Sequence, residues 1–188
     1  MRTIAPNSLT RPRLARMGRI ITTTDPEFGC VAITALGGSS VSGPWITANK
    51  PLAVPFTIND AMVVTHLGWR NGSAAGSNHD IGIYDEQWNR LVSAGSSAAG
   101  TSSIWNFVDV TDTPLGAGRY YLVKVIDATT ANRARYWNTP ATTTFATMLG
   151  LKETATDSFP LPNPLVGMTD PITHQRVPVL GIAVKAPL

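Results

Sequence analysis

The most chemically suggestive stretch of the sequence is HDIGIYDEQWNRLVSAGS, which begins at His79. It sets a histidine beside an aspartate and then brings two acids, a tryptophan and an arginine close together. Adjacent residues of a strand point to opposite faces, so His79 and Asp80 cannot hold one metal ion together. Asp85 and Asn89 are typical of turns, where their side chains bond backbone N–H groups. We therefore predict a hairpin with "DIGIY" and "RLVSA" as its strands and these two residues at the ends of its loop.

The other polar groupings also fall short of a catalytic site. Asp109 and Asp112 could supply oxygens to Ca²⁺, but a hard cation needs several ligands. The alternative is that these acids, like Asp127, mark places where strands meet turns. His66 is expected to be an ordinary sheet histidine, and neither a G-x-S-x-G elbow nor a phosphate-binding loop is present. We therefore expect no enzymatic activity, no metal and no cofactor.

Five tryptophans raise the question of glycan binding, because sugars stack on exposed aromatic rings. Trp105 alternates with Phe107 and is expected to face the core. Trp69 ends an apolar strand face, and Trp88 lies at the tip of the predicted hairpin. At that tip the ring either folds back, meets a neighbouring subunit or contacts a ligand. Trp88 and Trp69 are the candidates for a loop-tip contact or for glycan stacking.

Positive charge is concentrated at the beginning of the chain, although the net charge is only +3. Residues 1–24 contain five arginines and no acidic residue, whereas the remainder of the chain carries more acidic than basic residues. Such an arm can bind phosphates in a salt-sensitive way, or it can pair with acidic groups of a protein. The arm has no interleaved aromatic residues, so we favour a protein partner, with nucleic acid reached only through this arm. The candidate partner-binding residues are Arg2, Arg11, Arg13, Arg16 and Arg19.

The elements that would carry these residues are short strands. Runs rich in Val, Ile, Thr and Tyr alternate with turns rich in Gly, Ser and Thr, and no long helical period occurs. One short helix is predicted in TTTFATMLGLKETATD, before Gly150. An alternation of apolar and polar residues with a period of two indicates half-buried strands. In MVVTHLGWR it places on one face Val63, Thr65, Leu67 and Trp69. In YYLVKVID it places Tyr121, Val123 and Val125 on one face and Lys124 on the opposite face.

These patterns predict an all-β fold, an antiparallel β-sandwich that is jelly-roll-like, with extended N-terminal and C-terminal arms. Residues 1–28 form the basic arm, 29–150 the sandwich, and 151–188 a proline-rich segment. Its prolines forbid helix, so it should run extended over a surface and end in a final strand at VLGIAVK. Cys30 alone allows no disulfide framework. With no signal peptide or membrane span in the sequence, we expect synthesis in a cytoplasm.

The middle of the chain carries more specific motifs: "VPF", a strand ending in "NG", "DIGIYD" followed by "RLVSAGS", and "VDVTDTPLGAGRYYL". Together with the later "SFPLPNPL" and a final strand, these resemble a β-sandwich module of tailed-bacteriophage virion proteins. The similarity covers about residues 55–180. The resemblance implies a structural component of a head or tail, and it carries no catalytic residues.

The composition fits that implication, since only 14% of residues are charged and a neutral surface suits repeated contacts with partners. We expect a capsid decoration or cement protein that forms homo-oligomers. Its arms would bridge neighbouring subunits and contact other virion proteins, either the major capsid protein or tail proteins. The alternative is a tail-associated or tail-fibre receptor-binding module that binds glycans.

Overall fold

The computed structural model describes residues 19–22, 29–32, 40–137, 142–173 and 175–185. Within these ranges the chain is built almost entirely of antiparallel strands, with one short helix, α1 (Thr143–Met148). The strands are β1 (Arg19–Thr22), β2 (Gly29–Ala32), β3 (Ser40–Pro44), β4 (Leu52–Ile58), β5 (Met62–Ala75), β6 (Asn78–Tyr84), β7 (Arg90–Ser93), β8 (Ser97–Ala98), β9 (Trp105–Leu115), β10 (Gly118–Ile126), β11 (Asn132–Trp137), β12 (Lys152–Glu153) and β13 (Leu180–Lys185).

Two sheets pack face to face. The six-stranded sheet runs β12-β4-β10-β6-β7, with β8 also paired to β6, and the five-stranded sheet runs β13-β5-β11-β3, with β9 also paired to β5. β1 and β2 form a separate hairpin, and β2 lies next to β13. The predicted all-β sandwich is therefore confirmed. Its jelly-roll connectivity stays a prediction.

The main core fills the space between the two sheets. The inward residues of β4 alternate with outward ones, as a period of two requires, and they meet β5, β6 and β10. Trp45 closes one part of this core: its ring is fully buried near Tyr136, and its Nε1 donates to the Lys50 carbonyl at 3.0 Å.

A β-bulge in β5 breaks the alternation that the sequence suggested. The register of β5 shifts against both β9 and β13 near Thr65. One extra residue at a bulge reverses the phase of the side chains that follow. Val64 and Leu67 are consequently both buried, whereas Val63 and Thr65 are only half-buried. The predicted common face of Val63, Thr65, Leu67 and Trp69 is therefore wrong for its first two members.

The C-terminal segment covers the outer face of the six-stranded sheet. We define residues 158–168 as the strap, and its buried apolar side chains, Leu161 and Leu165, pack on Tyr121, Val123 and Val125 of β10 as a second apolar cluster. The six-stranded sheet is thus buried on both faces. The predicted extended course over a surface is confirmed, and the three residues do share one face as expected.

A buried carboxylate fixes the strap to β6. Asp80 points to the outer face, where its two oxygens accept hydrogen bonds from the Leu161 N–H at 2.9 Å and from the Ser93 hydroxyl at 2.8 Å. Tyr84 and Arg90 add donors to the carbonyls of Pro162 and Leu161, both at 2.5 Å. A Cβ at Gly82 would lie 2.8 Å from the Val92 carbonyl oxygen of β7 and 3.4 Å from Leu161 Cδ1, so this glycine lets both β7 and the strap lie close to β6.

The final strand enters the five-stranded sheet at a fork. β5 pairs with β13 as far as Trp69 and with β11 beyond it. Between them, the Val179 carbonyl accepts from the Arg70 N–H while the Val179 N–H donates to the Arg135 carbonyl. The predicted final strand at VLGIAVK is confirmed, as are the short helix before Gly150 and the hairpin formed by β6 and β7.

We expect the substitution Asp80→Asn to loosen the strap. An amide is a weaker acceptor than a carboxylate, and one of its two positions becomes a donor facing either the Leu161 N–H or the Ser93 hydroxyl. The loss should be about 1–3 kcal/mol of unfolding free energy in denaturant titrations, with faster proteolysis within residues 158–168. The control Asp60→Asn changes an exposed turn residue and should stay within about 0.5 kcal/mol. Equal behaviour of the two variants would contradict the anchoring role.

Candidate functional site

His79 and Asp80 are both fully buried, on opposite faces of β6. In the sequence they were the adjacent pair most suggestive of a catalytic or metal site. Asp80 serves the strap. Burial raises its pKa, and hydrogen bonds from Ser93, Leu161 and Ile81 act against that rise. His79 points instead between the two sheets. The alternation argument against a shared metal ion therefore agrees with the placement of the two side chains.

Between the sheets lies a polar cluster that we call the buried lysine cluster: Trp69, His79 and Lys124. The Trp69 and His79 rings have centroids 3.8 Å apart, and the Lys124 Nζ lies 5.4 Å from the Trp69 ring centroid. Lys124 is 1% exposed. It occupies the core face of β10, on the same side as Leu122 and Ile126, so the strand is not half-buried as the alternation suggested.

Burial governs the ionisation of this cluster. It lowers the pKa of Lys124 to about 7. Burial, and secondly the positive charge of Lys124, lower the pKa of His79 to about 3. A neutral amine of this kind is a nucleophile in enzymes, but here the two sheets enclose it on every side that the structure describes. The cluster is therefore a property of the core rather than a site open to a substrate.

Several polar atoms around this cluster are held by one loop. Trp69 Nε1 and Asn71 Nδ2 both donate to the Ala99 carbonyl, at 3.1 and 2.5 Å. Among the described residues, the Asn71 Oδ1 and both ring nitrogens of His79 have no hydrogen-bond partner. Buried polar atoms without partners carry a free-energy cost, which makes this part of the core sensitive to substitution.

Trp69 and Trp88, the two aromatic candidates, do not lie together. Trp69 is 3% exposed inside the sandwich, so its ring offers no face to a glycan, and that prediction is wrong. Trp88 lies on the other side of the six-stranded sheet, half-buried, with its ring centroid 4.3 Å from that of Tyr121. Its carbonyl accepts from Leu165 of the strap. Trp88 thus folds back onto its own chain, one of the outcomes anticipated for the hairpin tip.

The hairpin loop that carries Trp88 is organised by Asp85, as the turn chemistry predicted. Its carboxylate accepts from the backbone N–H groups of Gln87 and Asn89 at 2.9 and 2.8 Å, and from the Asn89 side chain. These hydrogen bonds lower the pKa of Asp85, although burial acts in the opposite direction. The loop places Trp88 at φ 66°, a left-handed conformation that costs energy for a bulky residue.

Trp105, which we predicted to face the core, lies instead with Phe107 on the surface of the five-stranded sheet. Trp105 and Phe107 stack with centroids 5.7 Å apart on the outer face of β9, and Phe107 is 38% exposed. The Phe107 ring lies over Gly68, its partner on β5, where a Cβ would collide with it. The expectation that Trp105 faces the core is wrong; Val108 and Val110 face it instead.

We call this surface the β9 face; it comprises Trp105, Phe107, Gly68 and Arg70. Ile104, which is 50% exposed, directly precedes the strand. Arg70 is the ladder partner of Trp105. Apolar and aromatic groups bordered by a guanidinium are typical of protein contact surfaces. Of the surfaces described, it is therefore the best candidate for contact with another protein.

The remaining candidates are dispersed. Arg2, Arg11, Arg13 and Arg16 lie outside the described residues, and the backbone of Arg19 belongs to β1, opposite Ala32. Asp109 and Asp112 are exposed along β9 rather than at a turn, so that placement was wrong. Within the described ranges no group of three or more His, Cys, Asp or Glu residues is arranged to hold a metal ion. None of the helical structure there is long and apolar enough to span a membrane.

The burial of two ionisable groups, Glu153 and Lys124, was not predicted from the sequence. Glu153, 5% exposed, accepts hydrogen bonds from the backbone N–H groups of Ile172 and Thr173 at 2.6 and 2.8 Å. Nothing in the local sequence distinguishes it from a surface acid. Lys124 did carry a signal, because its face of β10 is otherwise occupied by Leu122 and Ile126.

Comparisons with models of protein families, with curated proteins and with solved structures find no match for this chain.

We predict that Lys124→Met stabilises the protein and changes its pH dependence. Between pH 7 and 10.5 the unfolded chain binds a proton at Lys124 that the folded chain does not, so the unfolding free energy rises with pH across this window. Methionine removes that dependence, and at pH 7 it should add about 1–4 kcal/mol. Chemical denaturation at pH 7 and pH 10 measures both effects. The control Lys152→Met alters an exposed ion pair and should show neither.

At Trp88 we expect glycine to be more stable than alanine. Both variants lose the ring packing on Tyr121, but only alanine keeps a Cβ in the left-handed conformation, which should cost about 0.5–1 kcal/mol. Thermal or denaturant unfolding of Trp88→Gly and Trp88→Ala measures the difference. The same pair at Gln87, an exposed neighbour in the turn, should show the reverse order. The same order at both positions would contradict the role of the backbone conformation.

Proposed function

We propose that this chain is a non-enzymatic structural component of a tailed-phage virion, a capsid decoration or cement protein that binds neighbouring subunits on the particle. The observation that carries the proposal is the use of extended chain as a covering element. The strap contributes few strand pairings, yet it covers one face of a sheet and is fixed by buried Asp80. Under this proposal, extended segments would cover neighbouring subunits in the way that the strap covers its own sheet.

The chemistry of the buried ionisable groups supports a structural role. Asp80 and Glu153 accept backbone N–H groups of extended segments, and Lys124 is enclosed between the sheets. Each of these groups therefore acts within the fold. A virion component also needs a surface that binds another protein, and the exposed β9 face is suited to that role.

The N-terminal arginines give the proposal its second contact. Four of them, Arg2, Arg11, Arg13 and Arg16, precede the first described strand. Arginine forms bidentate hydrogen bonds with carboxylates, so this arm suits acidic groups on a neighbouring subunit. A contact of this kind weakens as salt screens exposed charges, within about 10 Å at 0.1 M.

A tail-associated, glycan-binding role is the second candidate, and Trp88 favours it. The half-exposed Trp88 ring packs on Tyr121, and the guanidinium of Arg119 lies 5.4 Å from the Tyr121 ring centroid. Aromatic rings beside a hydrogen-bond donor are typical of sugar-binding surfaces. Binding to a glycan array that is lost in Trp88→Ala would favour this role over the first.

The arm is tested by replacing its four arginines outside the described residues, Arg2, Arg11, Arg13 and Arg16, with glutamine. Under the proposal the variant stays folded, as judged by circular dichroism, but its incorporation into particles falls at least tenfold in quantitative gels of purified virions. Raising the salt concentration should reduce binding of the unaltered protein to particles that lack it. The control Arg119→Gln removes one exposed arginine of the sandwich and should incorporate normally. Normal incorporation of the fourfold variant would overturn the role of the arm.

A further inference from the structure

One edge of β9 has no strand paired to it in the part of the chain that the structure describes. Among the described residues, β9 pairs only with β5. Sheet edges are usually protected by lysine, proline or a bulge. In β9 the register shift against β5 and Pro114 fall in the second half of the strand, whereas Trp105 to Asp109 carry none of these devices. The first half therefore has no ladder partner on that side among the described residues, although β7 of the other sheet lies nearby.

The hydrogen-bond pattern identifies which backbone groups face that edge. The Asn71 N–H donates to the Ile104 carbonyl, so this pair exchanges hydrogen bonds across the ladder with β5. In an antiparallel ladder such pairs alternate with pairs that do not. The backbone N–H and C=O groups of Trp105, Phe107 and Asp109 consequently point away from β5, toward the open side.

We propose that two copies of this chain pair through β9, antiparallel and edge to edge, about a two-fold axis that passes at Asn106. This inference deepens the proposed function by naming a second copy as a partner of the β9 face. An antiparallel edge is self-complementary under two-fold symmetry. If residue i of one copy pairs with residue j of the other, then residue j of the first copy also pairs with residue i of the second. The two five-stranded sheets would join into one continuous sheet.

The residue pattern of β9 favours this axis over its neighbours. With Asn106 opposite itself, Trp105 of each copy lies directly opposite Phe107 of the other, and their outward backbone groups form the hydrogen-bonded pair. The two stacked aromatic pairs thereby become one four-ring cluster. Val108 reaches the level of Ile104, the 50% exposed residue that directly precedes β9 in the other copy.

Charge selects the same register. With the axis at Asn106, each Asp109 lies beyond the Trp105 end of β9 in the other copy, and the two aspartates are separated by about 20 Å along the strands. That distance exceeds the screening length of roughly 8–10 Å at physiological salt. An axis one residue further along, at Phe107, would place Asp109 opposite Trp105 and bring a carboxylate against the aromatic cluster.

Solution mass tests the pairing. We expect full-length protein to sediment as a dimer in analytical ultracentrifugation over a micromolar concentration series. Phe107→Glu should raise the dissociation constant about 100-fold, because it removes both aromatic pairs and buries a charge at each site. Thr57→Glu, an exposed position on β4, is the matched control and should stay dimeric. A monomeric parent protein, or a Phe107→Glu variant that is folded and still dimeric, would overturn the proposal.

Cysteine cross-linking tests the register in a Cys30→Ser background. Residues facing each other across a non-hydrogen-bonded pair have Cα atoms about 4.5 Å apart, a spacing that suits a disulfide. Asn106→Cys should therefore cross-link two copies, whereas Phe107→Cys and Val108→Cys should not. Cross-linking at either of those positions, or at none of the three, would overturn the axis. Particle incorporation is a separate measurement, so failure of the pairing and failure of the virion role are distinguishable.

Discussion

The outer face of the six-stranded sheet has to be kept from water, and the hydrogen bonds between Asp80 and the strap are the interactions that secure it. β10 buries side chains on both of its faces, so without a cover Tyr121, Val123 and Val125 would be exposed. The strap is rich in proline and cannot join the sheet as a central strand. A carboxylate that accepts one of its few backbone N–H groups is therefore an effective way to hold it in place.

The inner face of the same sheet meets a different constraint. Lys124 brings an amine into a core of largely apolar side chains, where its Nζ lies 5.4 Å from the Trp69 ring centroid. Neither ion pair formed among the described residues involves it. The sheet thus directs the hydrogen-bonded Asp80 toward the strap, and the desolvated Lys124 and His79 toward the core between the sheets. Asp80 stabilises the fold, and Lys124 makes its stability depend on pH.

Local patterns predicted the elements well but did not predict what covers them. Turn residues located the hairpin around Asp85, and prolines identified the extended segment, because both signals act within a few residues. The side of the sheet to which each side chain points was predicted less reliably. The bulge near Thr65 reverses the alternation of β5, and Trp105 turns outward because Gly68 provides a hollow for Phe107 on the outer face. The anchoring role of Glu153 depends on a loop about twenty residues away, which no local pattern reveals.

The fork at Val179 has a consequence for biosynthesis. The edge of β5 that receives β13 waits, during translation, for roughly 100 further residues, since pairings distant in sequence form slowly and only once both strands exist. Until then the five-stranded sheet presents an open edge on that side, and the gap between β5 and β11 is unfilled. A nascent chain therefore forms this sheet only when β13 has left the ribosome, and chains without β13 are distinguishable by an exposed edge of β5.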